Sequence, residues 1–202
     1  MAAKLAFTTG TLGALVILLL TVLGGAAFPN YSHLSQFISE LGAREAPHGK
    51  LISFAGFLPA GLLLCAFAFF ASRVLPRSPV TRWGLVGIAL FALGYGVSAF
   101  FPCDPGCRPA EPSLSQVIHT FVGGVGYFAG GVALILLGTQ ARGWPGARHL
   151  SVLGVSGGGV SLVALLFLSP EFQYVGLAQR VLELCMLLWV VACGFYLKRL
   201  AR

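Results

Sequence analysis

The chain has 202 residues, 57% of them hydrophobic and 9% charged, whereas a soluble domain carries about 25% charged residues because its surface faces water. Too few polar side chains remain to coat a globule, so a soluble enzyme and a disordered regulator are both excluded and lipid becomes the solvent for most of the chain. The net charge of +7 therefore reads as membrane orientation and attraction to anionic headgroups, with no nucleic acid among the partners.

A hydrocarbon core about 30 Å thick takes about 20 apolar residues as a helix, and the first such stretch is predicted over 7–28. Lys4 ahead of it and the small residues Gly24, Gly25, Ala26 and Ala27 also fit a signal peptide. The length of the run and the even number of spans it yields favour an uncleaved helix, ended at Phe28-Pro29 by the missing proline amide. Leu34, Phe37, Ile38 and Leu41 then follow an i, i+3, i+4, i+7 pattern opposite Ser32, Ser35, Gln36, Ser39 and Glu40. This predicts a short amphipathic helix over 32–42 on the outer surface, either roofing the bundle or turning its polar face to water. Gly42 stops it, and spans over 51–74 and 83–101 follow.

The next loop reads Cys103-Asp104-Pro105-Gly106-Cys107. Outside the cytoplasm its cysteines can pair, and Pro105-Gly106 supplies the turn; a metal site would need a second ligand pair, so no metal is expected. Cys65, Cys185 and Cys193 lie inside apolar stretches, where cysteine acts as a small hydrophobe. The last three spans are predicted over 117–139, 150–168 and 181–200. Gly126 and Gly130 form a G-x-x-x-G pair beside Gly123, Gly124 and Gly131, and Gly154, Gly157, Gly158 and Gly159 crowd the fifth span. Such small residues let helices approach closely, and no span carries the charge row of a proton relay or voltage sensor. The expected fold is all-α, a single transmembrane six-helix bundle of three hairpins.

With the N-terminus cytoplasmic, Lys4, Arg73, Arg77, Arg82, Arg142, Arg148, Lys198, Arg199 and Arg202 lie inside and Arg44, Lys50, Arg108 and Arg180 outside. This satisfies the positive-inside rule and places both termini in the cytoplasm of a cell whose plasma membrane holds the protein. All six acidic residues, Glu40, Glu45, Asp104, Glu111, Glu171 and Glu183, fall on the outer side.

An internal echo accompanies the hairpins. Leu34-Ser35-Gln36-Phe37-Ile38-Ser39-Glu40, Leu114-Ser115-Gln116-Val117-Ile118-His119-Thr120 and Leu177-Ala178-Gln179-Arg180-Val181-Leu182-Glu183 each follow a proline near the end of an outward span. A pseudo-threefold arrangement would bring Gln36, Gln116 and Gln179 to one depth; alternatively each glutamine caps its own helix start. On the outer face Gln36, Ser39, Glu40, Asp104, Gln116, His119, Gln179 and Glu183 are the candidate ligand-binding residues. His119 and Glu183 sit just inside spans, where ionisable groups are costly, and Arg180 is a natural ion-pair partner for Glu183. With His33 and His48 behind them, Asp104, His119, Glu40 and Ser39 can be arranged as a divalent-metal site or a serine, histidine and carboxylate set. No H-E-x-x-H or G-x-S-x-G supports either, so catalysis and any cofactor stay open. His149 beside Arg148 reads as a solvated cytoplasmic flank.

Asn30-Tyr31-Ser32 with Ile38-Ser39-Glu40-Leu41-Gly42 resembles a bacterial and archaeal family of small membrane proteins known as domain of unknown function 998, as do Phe101-Pro102 with Asp104 and His119. Cys103 stands between Pro102 and Asp104, a departure from the family pattern. The resemblance implies a multi-span protein, such as one of the bacterial inner membrane, and no particular reaction. Two functions are compatible with these readings. Either the outer mouth binds or processes a lipid or small amphiphile, or the protein is a non-catalytic subunit whose glycine-rich helices and outer loops dock on membrane-protein partners.

Overall fold

The computed structural model describes residues 1–200; Arg202, counted above among the cytoplasmic charges, lies outside the described residues. Six helices are long and apolar enough to cross a membrane: α1 (Ala2–Ala27), α2 (Gly49–Ala71), α3 (Pro79–Phe100), α4 (Leu114–Ala141), α5 (Arg148–Leu165) and α6 (Val175–Leu200). No strand occurs among the described residues. Each helix packs on the next, and α6 returns to α1, closing a six-membered ring. Large hydrophobic side chains such as Leu18, Leu62, Leu93, Phe128, Val163 and Leu188 stay exposed on the flanks of all six helices, the surface that lipid tails cover.

Helix ends follow local chemistry. Ser78 caps α3 by accepting the Thr81 amide, with Pro79 in the first turn where its missing N–H costs nothing. This starts the third span four residues before the apolar run that predicted it. Within α2, Ile52–Phe57 is wound as a π-helix, just ahead of Pro59, whose ring and absent amide disrupt a regular α-helical ladder. Helix α6 begins at Val175 instead of 181, which buries the third copy of the echo inside a helix.

Trp189, Phe67, Phe91, Leu134, Leu137, Leu150, Leu182 and Met186 fill the core, and the Trp189 indole donates to the Leu150 carbonyl at 3.1 Å. Glycines set the spacing of α4 against α5. A Cβ at Gly154 would lie 2.6 Å from the Gly138 Cα, and one at Gly158 would lie 2.6 Å from the Gly131 carbonyl oxygen. Gly123, Gly124 and Gly159 have nothing within 4 Å of a would-be Cβ.

The loops between α1 and α2, α3 and α4, and α5 and α6 gather at one end of the bundle, here called the acidic end. The amphipathic helix expected over 32–42 is shorter than its periodicity implies: turns lead into a 3-10 helix, Ile38–Gly42. The Glu40 carboxylate accepts the Phe37 amide at 2.9 Å, and the Ile38 amide is taken by Gln179, so side chains compete with the helical ladder. Ile38, Leu41 and Glu40 are buried, while Leu34 is 53% exposed. The segment is thus an inward-facing strap, not a helix with a polar face in water. Leu177 donates its amide to the Leu34 carbonyl, and Arg44 donates its own to Cys103, which fixes the strap to α6 and to the loop after α3.

Candidate functional site

The three echo glutamines share one hydrogen-bonding habit. Gln36 Oε1 accepts the Ser32 amide and its Nε2 donates to Glu40, both at 2.8 Å. Gln116 Oε1 accepts the Asp104 amide at 2.8 Å and its Nε2 donates to Thr120 Oγ1 at 2.9 Å. Gln179 Oε1 accepts the Ile38 amide at 2.7 Å and its Nε2 donates to the Tyr127 hydroxyl at 2.6 Å. In every copy the carbonyl holds a loop amide and the NH2 holds a side-chain oxygen. The first two copies close on the last residue of their own string, Glu40 and Thr120. In the third, Tyr127 intervenes and donates onward to Glu183 Oε1 at 2.6 Å.

The strings do not all face one site. A cavity of about 230 Å³ lies at the acidic end between α3, α4 and α6, and Ser39, Gln116, His119, Gln179 and Glu183 line it. Gln36 and Glu40 bond to each other within the strap and do not line it. Asp104 is turned into its own loop, accepting the Ser113 amide at 2.8 Å and the Ser113 hydroxyl at 2.7 Å, with Arg44 Nε 3.9 Å away. Those donations, with a smaller contribution from Arg44, hold its carboxyl below the usual carboxylate range. Cys103 and Cys107 are bonded, with Cα atoms 5.1 Å apart, and Ser39 Oγ touches Cys107 Sγ at 3.5 Å.

Two arrangements open to the sequence are not assembled. Among the described residues no three His, Cys, Asp or Glu side chains are placed to share a metal ion. No hydrogen bond joins Ser39 to His119 among the described residues; His119 Nδ1 pairs with the Phe101 carbonyl at 2.9 Å and Ser39 Oγ lies against Cys107. The Arg180 to Glu183 ion pair is also absent. Arg180 instead donates to the carbonyls of Gln36 and Gly176 and to the Tyr31 hydroxyl, and pairs with His33 Nδ1 at 3.0 Å. The strap packs so closely that a Cβ on Gly176 would lie 2.7 Å from the His33 carbonyl oxygen, and the carbonyls it presents capture the guanidinium. Burial outweighs the neighbouring Arg180 and pushes the Tyr31 hydroxyl up to about 12, while burial and then Arg180 push the His33 imidazole down.

Sequence reasoning missed the tyrosines. Tyr95 and Tyr127 lie inside α3 and α4 and line the cavity with Phe57, Phe91, Leu165 and Leu168. A hydroxyl in the middle of an apolar span requires a partner, and that was the signal available for both. Glu183 is also deeper than its first-turn position implied. It lies eight residues past Val175, about 12 Å along the axis, and is 3% exposed. Its Oε2 and the Tyr95 hydroxyl are buried without hydrogen-bond partners. The cavity also reaches the flank of the bundle, since Thr120, Gly124 and Pro170 both line it and are exposed.

The chain belongs to the family described as Protein of unknown function (DUF998), whose model matches residues 11–196. No curated protein and no solved structure matches it.

Proposed function

We propose that this family member lies in the plasma membrane with its termini cytoplasmic and that its outward-facing cavity binds a lipid or small amphiphile. The observation carrying this reading is the Glu183 carboxyl, buried at the wall of a mainly apolar cavity, with the Tyr127 hydroxyl on Oε1 and no hydrogen bond of normal geometry on Oε2. A carboxylate has about four lone-pair positions, so a fold that keeps some of them beside an open volume gains when a ligand's polar head fills them. The exposed flank of the cavity at Thr120, Gly124 and Pro170 gives the apolar tail a path from the outer leaflet, and Leu165, Leu168 and Phe91 give it a surface.

Glycine packing bears on the alternative of a docking subunit. Gly131, Gly138, Gly154 and Gly158 are occupied by contacts within the chain, which leaves partner recognition to the loops. Purification in a mild neutral detergent followed by lipid mass spectrometry tests the two. A stoichiometric amphiphile lost on Gly124→Phe supports the cavity; a ligand-free protein with stoichiometric co-purifying subunits refutes it.

A further inference from the structure

We propose that the head group taken by this cavity is a protonated amine, with Glu183 as its counter-ion. The inference rests on the amphiphile-binding reading and adds the charge of the ligand. Three observations lead to it.

The first is the charge arrangement at the acidic end. Asp104 has Arg44 beside it. The remaining buried acids, Glu40 and Glu183, form no ion pair among the described residues. A ligand carrying one positive charge would give Glu183 the counter-ion that the chain does not supply. The second is the distribution of donors. Both Glu40 oxygens are occupied, by Gln36 and by the Phe37 amide. Glu183 receives the Tyr127 hydroxyl on Oε1; its Oε2 makes no hydrogen bond of normal geometry and has the Tyr95 hydroxyl beside it, so a carboxylate with about four lone-pair positions keeps acceptor capacity for a ligand N–H. An ammonium supplies both the hydrogen and the charge, and charge-assisted bonds are about twice as strong as neutral ones.

The third is the aromatic wall. Phe91 packs edge-on to Tyr95 with centroids 5.5 Å apart and lies 6.0 Å from Tyr127, while Phe57 lies 5.9 Å from Tyr95. All four rings line the cavity. Ring faces attract ammonium groups and do nothing comparable for anions. An anionic head would meet Glu183, and among the described residues no lysine or arginine lines the cavity to receive it.

The test compares dodecylamine, dodecanol and dodecyl sulfate as probes on the full chain in glycosidic-detergent micelles near pH 7, where an alkylamine is protonated. Binding is read by native mass spectrometry and titration calorimetry. Dodecylamine should bind about tenfold tighter than dodecanol or more, and dodecyl sulfate more weakly than either. Methylamine alone, which has the head without the tail, should not compete; competition by it at equal concentration would show a soluble amine to be the ligand and overturn the amphiphile. In Glu183→Gln the ratio of amine to alcohol affinity should fall to about unity. A ratio that survives in Glu183→Gln, or no amine preference in the unaltered chain while dodecanol still binds, overturns the charge assignment and leaves the cavity reading standing. Failure of all three alkyl probes to bind overturns both. Should Glu183→Gln not fold, Tyr127→Phe removes a donor that favours the ionised carboxylate over the neutral acid, and the amine preference should fall; an unchanged or higher ratio refutes the proposal.

Discussion

Tyr95 and Tyr127 share a cavity but differ in what their hydroxyls do, which makes Tyr127→Phe and Tyr95→Phe a paired test of the polar chain. Removing the Tyr127 oxygen breaks two bonds of 2.6 Å each, one from Gln179 Nε2 and one to Glu183 Oε1. Both groups are in buried residues, Gln179 at 5% and Glu183 at 3% exposure. Each orphaned group costs about 1–3 kcal/mol, and water entering the cavity recovers part of that, so the net loss should be about 2–4 kcal/mol. On the scale of soluble domains this size, that is a drop of about 5–12 °C in Tm. The Tyr95 hydroxyl makes no hydrogen bond of normal geometry and only stands beside Glu183, so its removal should cost less than the loss of the Tyr127 hydroxyl, by about 1 kcal/mol or more. Thermal melts of the two purified variants, followed by tryptophan fluorescence, read the difference. Equal shifts, or a larger loss for Tyr95→Phe, would show that the chain from Ile38 through Gln179 and Tyr127 to Glu183 does not carry the stability assigned to it.

Helix spacing is open to a similar contrast. Gly154→Ala places a Cβ 2.6 Å from the Gly138 Cα and 2.7 Å from the Leu134 carbonyl oxygen, and should cost about 1–3 kcal/mol, whereas Gly124→Ala meets nothing within 4 Å and should be neutral or gain up to about 1 kcal/mol; thermal melts that rank them the other way refute the close approach of α4 and α5. For Asp104, the lowered carboxyl pKa means its contribution is present above about pH 4 and is lost as pH falls below that through the folded-state value. Amide protection factors across 102–113, normalised to the intrinsic exchange rate at each pH, should therefore fall on acidification, and Asp104→Asn should abolish that fall. Cysteine probes at Ala110 and Gly146, both exposed, should be labelled from outside and only after permeabilisation, respectively; the reverse pattern would invert the proposed topology.

Span number, the up-and-down alternation of helices and the gathering of all six acidic residues on one side were legible in the sequence because each depends on sums over neighbouring residues. Twenty apolar side chains in a row must enter lipid whatever surrounds them, and a proline ends a helix through its own missing amide. The echo was legible as a pattern, and its glutamines do share a local geometry set by the loops beside them. What each string faces was not. Gln36 and Gln179 occupy equivalent positions in their strings, yet the strap folds inward so that Gln36 serves Glu40 while Gln179 reaches Tyr127, 52 residues away in sequence. Arg180 stands three residues before Glu183 on one helix, a spacing that favours an ion pair, but the strap's carbonyls and Tyr31 offer more bonds and take the guanidinium. The depth of Glu183 followed from where α6 begins, and the cavity from how α3, α4 and α6 pack at the acidic end. These outcomes depend on which surfaces meet in space, and a buried polar group is satisfied by whatever packing brings within about 3 Å of it, a quantity that no local window of sequence contains.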